Sequence, residues 1–399
     1  MPEQPRNGDD GLPEGETSNL PDSPSDLLLE GEREHFGEVA GDAGLIGVAA
    51  VAAGSEGQRK GKGMGFGAWA AIAWMVFIVG VAVLAKTEVV TWGDPFESNG
   101  ECARKGPFAD EGKAEGEPLG CDGNGRVMSA RLALGAWTSL LVATGAIIVG
   151  FAFGGSLGLL AGFFGTETHR VVASVMGGLI GLVVGLAAGY AFDWSMVLTG
   201  LAGLVVGAVV SWGVGNVDTI ITGMFNVFLA VPAVILALSL VAFLQGSPDE
   251  AATSGTPAEL LLIIALGIVS IPLVGRITRA STISWAQREF VLAARAQGAK
   301  NGRIMIKEVL PNVAPAMFSI SLLGIAIAIV AEGALAILGV GVKPPTPSWG
   351  NIIAYERTNF FRSPHMIFEP AILIFFTVLS LNFLGDVVRA RFDVREGGI

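Results

Sequence analysis

The 399-residue chain is 51% hydrophobic and 15% charged, with a formal net charge of −11 and a mean hydropathy of +0.60. Soluble domains carry about 25% charged residues and their helices need a polar face, so a soluble helical bundle is disfavoured and no nucleic-acid partner is expected. The charge is also local: residues 1–57 hold thirteen acidic and two basic side chains, and the remainder is neutral on balance.

In chain order, residues 1–63 read as an acidic, disordered cytoplasmic tail, rich in Pro, Gly, Ser and Glu and poor in aromatics. They lack the basic start and apolar core of a signal peptide, and the apolar patch Ala43–Ala53 is too short to span a bilayer. The tail is either solvated or a docking segment for a partner. Residues 64–130 hold a first span and an outer loop, 131–393 the main membrane domain, and 394–399 a cytoplasmic C-terminus.

Five stretches contain no Asp, Glu, Lys or Arg: Leu132–Thr166, Val171–Phe192, Trp194–Val217, Thr219–Pro248 and Leu260–Gly275. Roughly 20 apolar residues cross a hydrocarbon core of about 30 Å, and such runs are helical because every backbone polar group must be paired within the protein. With the remaining apolar runs they predict eight spans, at 68–86, 136–162, 170–190, 194–212, 218–244, 259–279, 313–339 and 367–388. Lys and Arg set the orientation. Arg59, Lys60 and Lys62, the basic segment Arg276–Pro311, and Arg389, Arg391 and Arg395 are expected inside. The segment 87–126, with nine acidic and four basic residues, is expected outside. Eight spans satisfy all of these placements.

Cys102 and Cys121 both fall in the outer segment, while His35, His169 and His365 are scattered and form no zinc set. The cysteines read as a candidate disulfide facing an oxidising compartment, with two free thiols as the alternative. The charge-poor hairpin 170–212 turns at Phe192–Asp193–Trp194, where Tyr190 and Trp194 suit an interface. Gly177, Gly181, Gly185 and Gly189 make one smooth helix face that permits close packing.

The loop Trp285–Asn312 reads as two short helices. Residues 285–296 form the first, Gly298 supplies a left-handed C-cap, and 300–310 form the second, with Pro311 opening the next element. Phe290, Ala293, Ala294 and Gln297 share one small apolar face by helical spacing. An apolar face on a compact helix in water is expected to dock; a basic loop held at anionic lipid is the alternative.

Ala293, Ala294, Gly298, Leu310 and Pro311 stand in the spacing of the EAA loop, the coupling helix of ABC-importer permeases, which the loop resembles. Leu292 replaces the glutamate of that pattern, and Glu308 stands where many relatives carry histidine. Four further segments resemble the C-type subunit of the dipeptide/oligopeptide/nickel permease family. They are PLGCDGNGRVMSARLALGAWTSLLV (118–142), NVDTIITGMFNVFLAVPAVILAL (216–238), AEGALAILGVGVKPPTPSWGNII (331–353) and LNFLGDVVRARFD (381–393).

This resemblance implies an all-α membrane protein, a type I ABC-importer transmembrane domain of six family spans. About fifty residues intervene between Gly162–Gly165 and Val217–Thr219, and they add an inserted two-helix hairpin, 166–215. It places a coupling loop at 281–312, with Glu289, Phe290, Ala293, Ala294, Arg295, Gly298, Ala299, Arg303, Leu310 and Pro311 transmitting motion to an ATPase. Glu332, Asn226 and Pro232 are candidates for the translocation path or gate. Glu332 is expected near the outer mouth in a structural or gating role, and Asp218, Arg276 and Asp386 solvated at inner interfaces.

The implied partners are a second permease subunit, two ABC ATPase subunits, an extracytoplasmic peptide-binding protein and the lipid bilayer of a bacterial plasma membrane, with both termini cytoplasmic. No Gly-x-x-x-x-Gly-Lys-Ser/Thr string occurs, so ATP and Mg are expected on the partner subunits, and this chain is expected to be non-catalytic with no bound cofactor. Rival readings are a secondary transporter, which needs internal symmetry and buried ion ligands, an intramembrane hydrolase, a non-catalytic scaffold, and an ABC permease for nickel chelates or other small solutes.

Overall fold

A computed structural model describes residues 65–89, 93–107, 118–165, 170–191, 196–214, 217–245 and 257–393. The acidic tail 1–63, His169, the hairpin turn at Phe192–Asp193–Trp194 and the C-terminus 394–399 lie outside the described residues.

The described architecture is helical. In chain order it comprises α1 (Phe66–Lys86), α2 (Met128–Phe164), α3 (Arg170–Ala191), α4 (Met196–Val214), α5 (Val217–Leu229), α6 (Ala233–Gln245), α7 (Ala258–Ala286), α8 (Glu289–Ala296), α9 (Asn301–Ile337), α10 (Trp349–Glu356) and α11 (His365–Asp393). Five of these, α1, α2, α7, α9 and α11, are long and apolar enough to cross a membrane. Several outrun the charge-free stretches that announce them. An apolar run marks where lipid begins, whereas a helix continues into water as long as its residues permit.

The span expected at 218–244 is broken. α5 and α6 meet at an angle of 87°, with Ala230, Val231 and Pro232 between them. Pro232 brings no N–H, and its ring disfavours helical geometry at Val231. The expected start of a new element at Pro311 is also corrected, because α9 runs unbroken from Asn301. It passes through a π-turn, Met305–Val309, just before Pro311. A wider turn accommodates a ring and a missing donor without ending the helix.

The core is assembled around α2 and α7, which cross at glycines. A Cβ at Gly154 would lie 2.3 Å from the carbonyl oxygen of Ile271, and one at Gly158 would lie 2.3 Å from that of Gly275. No side chain fits there, so the two backbones touch. Ile78, Leu132, Ile329, Trp349 and Leu381 fill the centre between α1, α2, α9, α10 and α11. Val142, Val241, Leu262 and Leu335 fill one end, and Phe163, Val291, Ile304 and Val313 seat the loop at the other. α3 and α4 pack on each other through a second glycine seam, in which Cβ atoms at Gly181 and Gly185 would lie 2.1 Å from the carbonyl oxygens of Gly203 and Thr199. The outer faces of this pair carry exposed Val183, Val184, Val205 and Val206.

Candidate functional site

The loop Trp285–Asn312 sits at one end of α9. α8 begins with Glu289 after an extended Arg288 and ends at Ala296. The Gly298 N–H donates to the Arg295 carbonyl (2.9 Å) and the Ala299 N–H to the Ala294 carbonyl (3.1 Å). This is a Schellman closure, and Gly298 holds the left-handed φ of +79° that it requires.

Val291 is wholly buried, and Ala294, Ala299 and Leu310 pack beside it against Phe163 and Ile304. Arg295 lies over the Phe163 ring at 5.8 Å. The free face is formed instead by Phe290, Leu292 (59% exposed), Ala293 and Gln297. Glu289, Gly298, Arg303 and Pro311 are also exposed. The expected face is therefore rotated: Ala294 turns inward, and Leu292 takes its place. Helical spacing reveals a stripe, but Val291 decides which stripe the rest of the chain covers.

The expected gate residues divide into two groups. Asn226 and Pro232 are exposed on the broken pair, and Arg276 on α7 donates to the Asn226 side-chain oxygen. One turn along α7, Arg279 grips Asp218 at the start of α5, its Nε donating to Oδ1 and its Nη2 to Oδ2 (2.6 Å). Thr222 donates to the same carboxylate at 3.2 Å. Asp218 is thus a partner in a bidentate ion pair, not merely a solvated charge, and Arg276 is bonded to Asn226. Asp386 is exposed. No local spacing announces Arg279 as the partner, because it lies 61 residues from Asp218.

Glu332 stands at the opposite end of α9, 1% exposed. It accepts from Ser348 Oγ at 2.7 Å and from Ser139 Oγ at 3.3 Å. Ser139 Oγ in turn accepts from the Trp349 N–H at 3.1 Å. Ser348 caps α10 in a reciprocal pair with Asn351. The carboxylate therefore ties α2, α9 and α10 together and faces no open path. Nothing local in the sequence marks Ser139 or Ser348 as a partner of Glu332, which lies 193 and 16 residues away.

Beyond it lies a cap in which Cys102 and Cys121 form a disulfide, with Cα atoms 5.8 Å apart. Among the described residues no group of three or more His, Cys, Asp or Glu could hold a metal ion.

Residues 199–396 match the family of the binding-protein-dependent transport system inner membrane component. A dipeptide transport system permease protein DppC from Alkalihalophilus pseudofirmus is 32% identical over 248 residues, covering 62% of this chain and 68% of that protein. The chain belongs to this permease family. The permease is also 31% identical over 219 residues to a di/tripeptide transport system permease protein DppC of Pseudomonas aeruginosa, covering 55% of this chain and 66% of that protein. It is 26% identical over 283 residues to the glutathione transport system permease protein GsiD of Pectobacterium atrosepticum, covering 71% and 74%. Among solved structures, an inward-facing MetNI methionine ABC transporter overlaps 65% of the permease and 95% of its own chain, with TM-score 0.44 and 16% identity. The permease is a multi-pass inner-membrane protein.

Proposed function

We propose that the permease is one of two membrane-spanning subunits of a type I ABC importer that moves di- or oligopeptides inward. The substrate class follows from what its relatives are named for. The observation that carries the reading is α8, a compact helix seated on its own chain through Val291 that presents Phe290, Leu292 and Ala293 outward. Exposed apolar side chains beside Arg295 and Glu289 suit a groove on a separate ATPase subunit.

In this reading α8 lies in the cytoplasm, and the disulfide-bonded cap lies outside, facing a peptide-binding protein. Both termini are cytoplasmic, and α3, α4 and the broken pair complete eight spans. ATP and Mg act on the partner ATPases. Their closure pushes α8 as a rigid piece, and α9, one continuous 37-residue helix, carries the displacement across the bilayer. The broken pair α5–α6 then changes its angle, with the Asp218–Arg279 and Asn226–Arg276 contacts opening and closing at its inner half.

Uptake of a radiolabelled dipeptide into vesicles holding the assembled complex tests this. Uptake should require ATP on the ATPase side and the external receptor on the other. A cysteine at Leu292 should cross-link to the ATPase, and one at Val291 should not. Uptake driven by an ion gradient without ATP would refute the reading.

A further inference from the structure

The cap at the end of the permease opposite α8 carries a half-open cavity of about 300 Å³ whose lining includes Arg104, Arg126, Tyr355, Glu356 and Asn359. Two acids are engaged at or behind its wall, Glu356 in the lining and Asp122 behind Arg126. Asp122 Oδ1 accepts from the N–H groups of Asn124 and Arg126, each at 2.9 Å. Its Oδ2 accepts from Arg126 Nε at 2.7 Å and lies 3.2 Å from Arg131 Nε. Glu356 Oε1 accepts from the Gly123 N–H at 3.2 Å, and Oε2 accepts from Asn359 Nδ2 at 3.0 Å.

The donors differ. Arg104 is exposed, and its guanidinium makes no hydrogen bond or ion pair among the described residues. Arg126 adds a second guanidinium to the same wall, and Tyr355 is 56% exposed at the rim. The charged lining is thus Arg104, Arg126 and Glu356, with Arg126 already paired to Asp122.

The backbone holds Arg104 in place at a cost. Its φ is +64°, the left-handed region that disfavours a side chain by about 1–2 kcal/mol. Three fixings keep it there. Its N–H donates to the Asp122 carbonyl (3.1 Å), its own carbonyl accepts from Ser363 Oγ (3.2 Å), and the neighbouring Cys102 is bonded to Cys121. A strained backbone, pinned on three sides so as to present an unpaired guanidinium to a cavity, is the pattern of a ligand clamp.

We propose that this cavity recognises a carboxylate through the Arg104 and Arg126 guanidinium groups. The carboxylate comes from the C-terminus of an entering peptide or from an acidic side chain of the docked external receptor, and both sources rest on the importer reading for the sidedness of the cap. Guanidinium forks match carboxylates bidentately, and the exposed Arg104 fork brings unused donors to the cavity.

The test uses the assembled complex in nanodiscs, treated with the arginine reagent phenylglyoxal, with modification at Arg104 read by mass spectrometry. Protection by dialanine but not by dialanine amide supports the site and assigns it to the peptide terminus. Protection by unloaded receptor protein supports it and assigns it to a receptor acid. Protection by neither overturns it. Arg104→Gly, which suits the left-handed backbone, should raise the half-saturating concentration of that partner in uptake about tenfold, the scale of a charge-assisted contact. Arg104→Lys should recover part of this loss. Wild-type half-saturation in an Arg104→Gly complex whose disulfide still forms would also overturn the site. Protection needs no ATP, so a complex that fails to import still reports on the cavity.

Discussion

The carboxylate of Glu332 and the hydroxyl of Ser348 meet at 2.7 Å in a site closed to solvent on both sides, where Glu332 is 1% and Ser348 0% exposed. Ser348 is also the cap of α10, so one hydroxyl both ends a helix and anchors a buried acid. Glu332→Ala removes the acceptor shared by Ser348 and Ser139 and opens space. It should destabilise the permease by about 2–3 kcal/mol, the scale for leaving buried hydroxyl donors without their acceptor. Ser348→Ala should cost less, about 1–2 kcal/mol, as a lost cap. Thermal unfolding in detergent, followed by tryptophan fluorescence, should give that order; equal midpoints for all three proteins would exclude the anchoring role.

The Cys102–Cys121 bond closes a loop with a sequence separation of 19 residues. A loop of this size contributes about 3 kcal/mol in the chain-entropy account. Neither cysteine should react with a maleimide unless the protein is reduced. Cys102→Ser with Cys121→Ser should lower thermal stability and release the 93–107 segment to protease, while leaving the coupling loop unaltered in cross-linking.

Gly158→Leu should be far more damaging than an ordinary membrane-helix substitution, because any Cβ there meets the Gly275 carbonyl at 2.3 Å. Overpacking costs of about 1–3 kcal/mol are a lower bound where the obstacle is backbone. Gly158→Ala should already reduce the yield of folded protein in size-exclusion chromatography. Gly223→Ala, with nothing within 4 Å, should not.

Gly298 has open space around it but a φ of +79°. A substitution there therefore strains the backbone without a clash. Gly298→Val should weaken α8 by about 1–2 kcal/mol and uncouple ATP hydrolysis from uptake. Gly298→Asn should be tolerated, since Asn enters the left-handed region more readily. Coupled hydrolysis that is the same in both variants would show that the Schellman closure does not set the angle of the lever.

Asp218→Ala and Arg279→Ala remove the two halves of one ion pair whose side chains are 20% and 30% exposed. Each should destabilise the permease, and the double variant should cost clearly less than the sum, with a coupling of about 1 kcal/mol. Additive effects in a double-mutant cycle would show that the pair is solvated and idle.

The membrane class, the positions of most spans and the break after Gly298 are legible in the chain, because they rest on local quantities. Charge-free runs report lipid, and a glycine between two helix-forming segments reports a left-handed cap. Which face of α8 is free, which arginine holds Asp218, and what surrounds Glu332 are not legible. Those answers come from residues brought together across the bundle: Val291 falling onto Phe163, Arg279 reaching Asp218 over 61 positions, and Ser139 and Ser348 converging from α2 and the start of α10. Periodicity places side chains on a helix surface, but only packing between helices settles which surface water or a partner can reach.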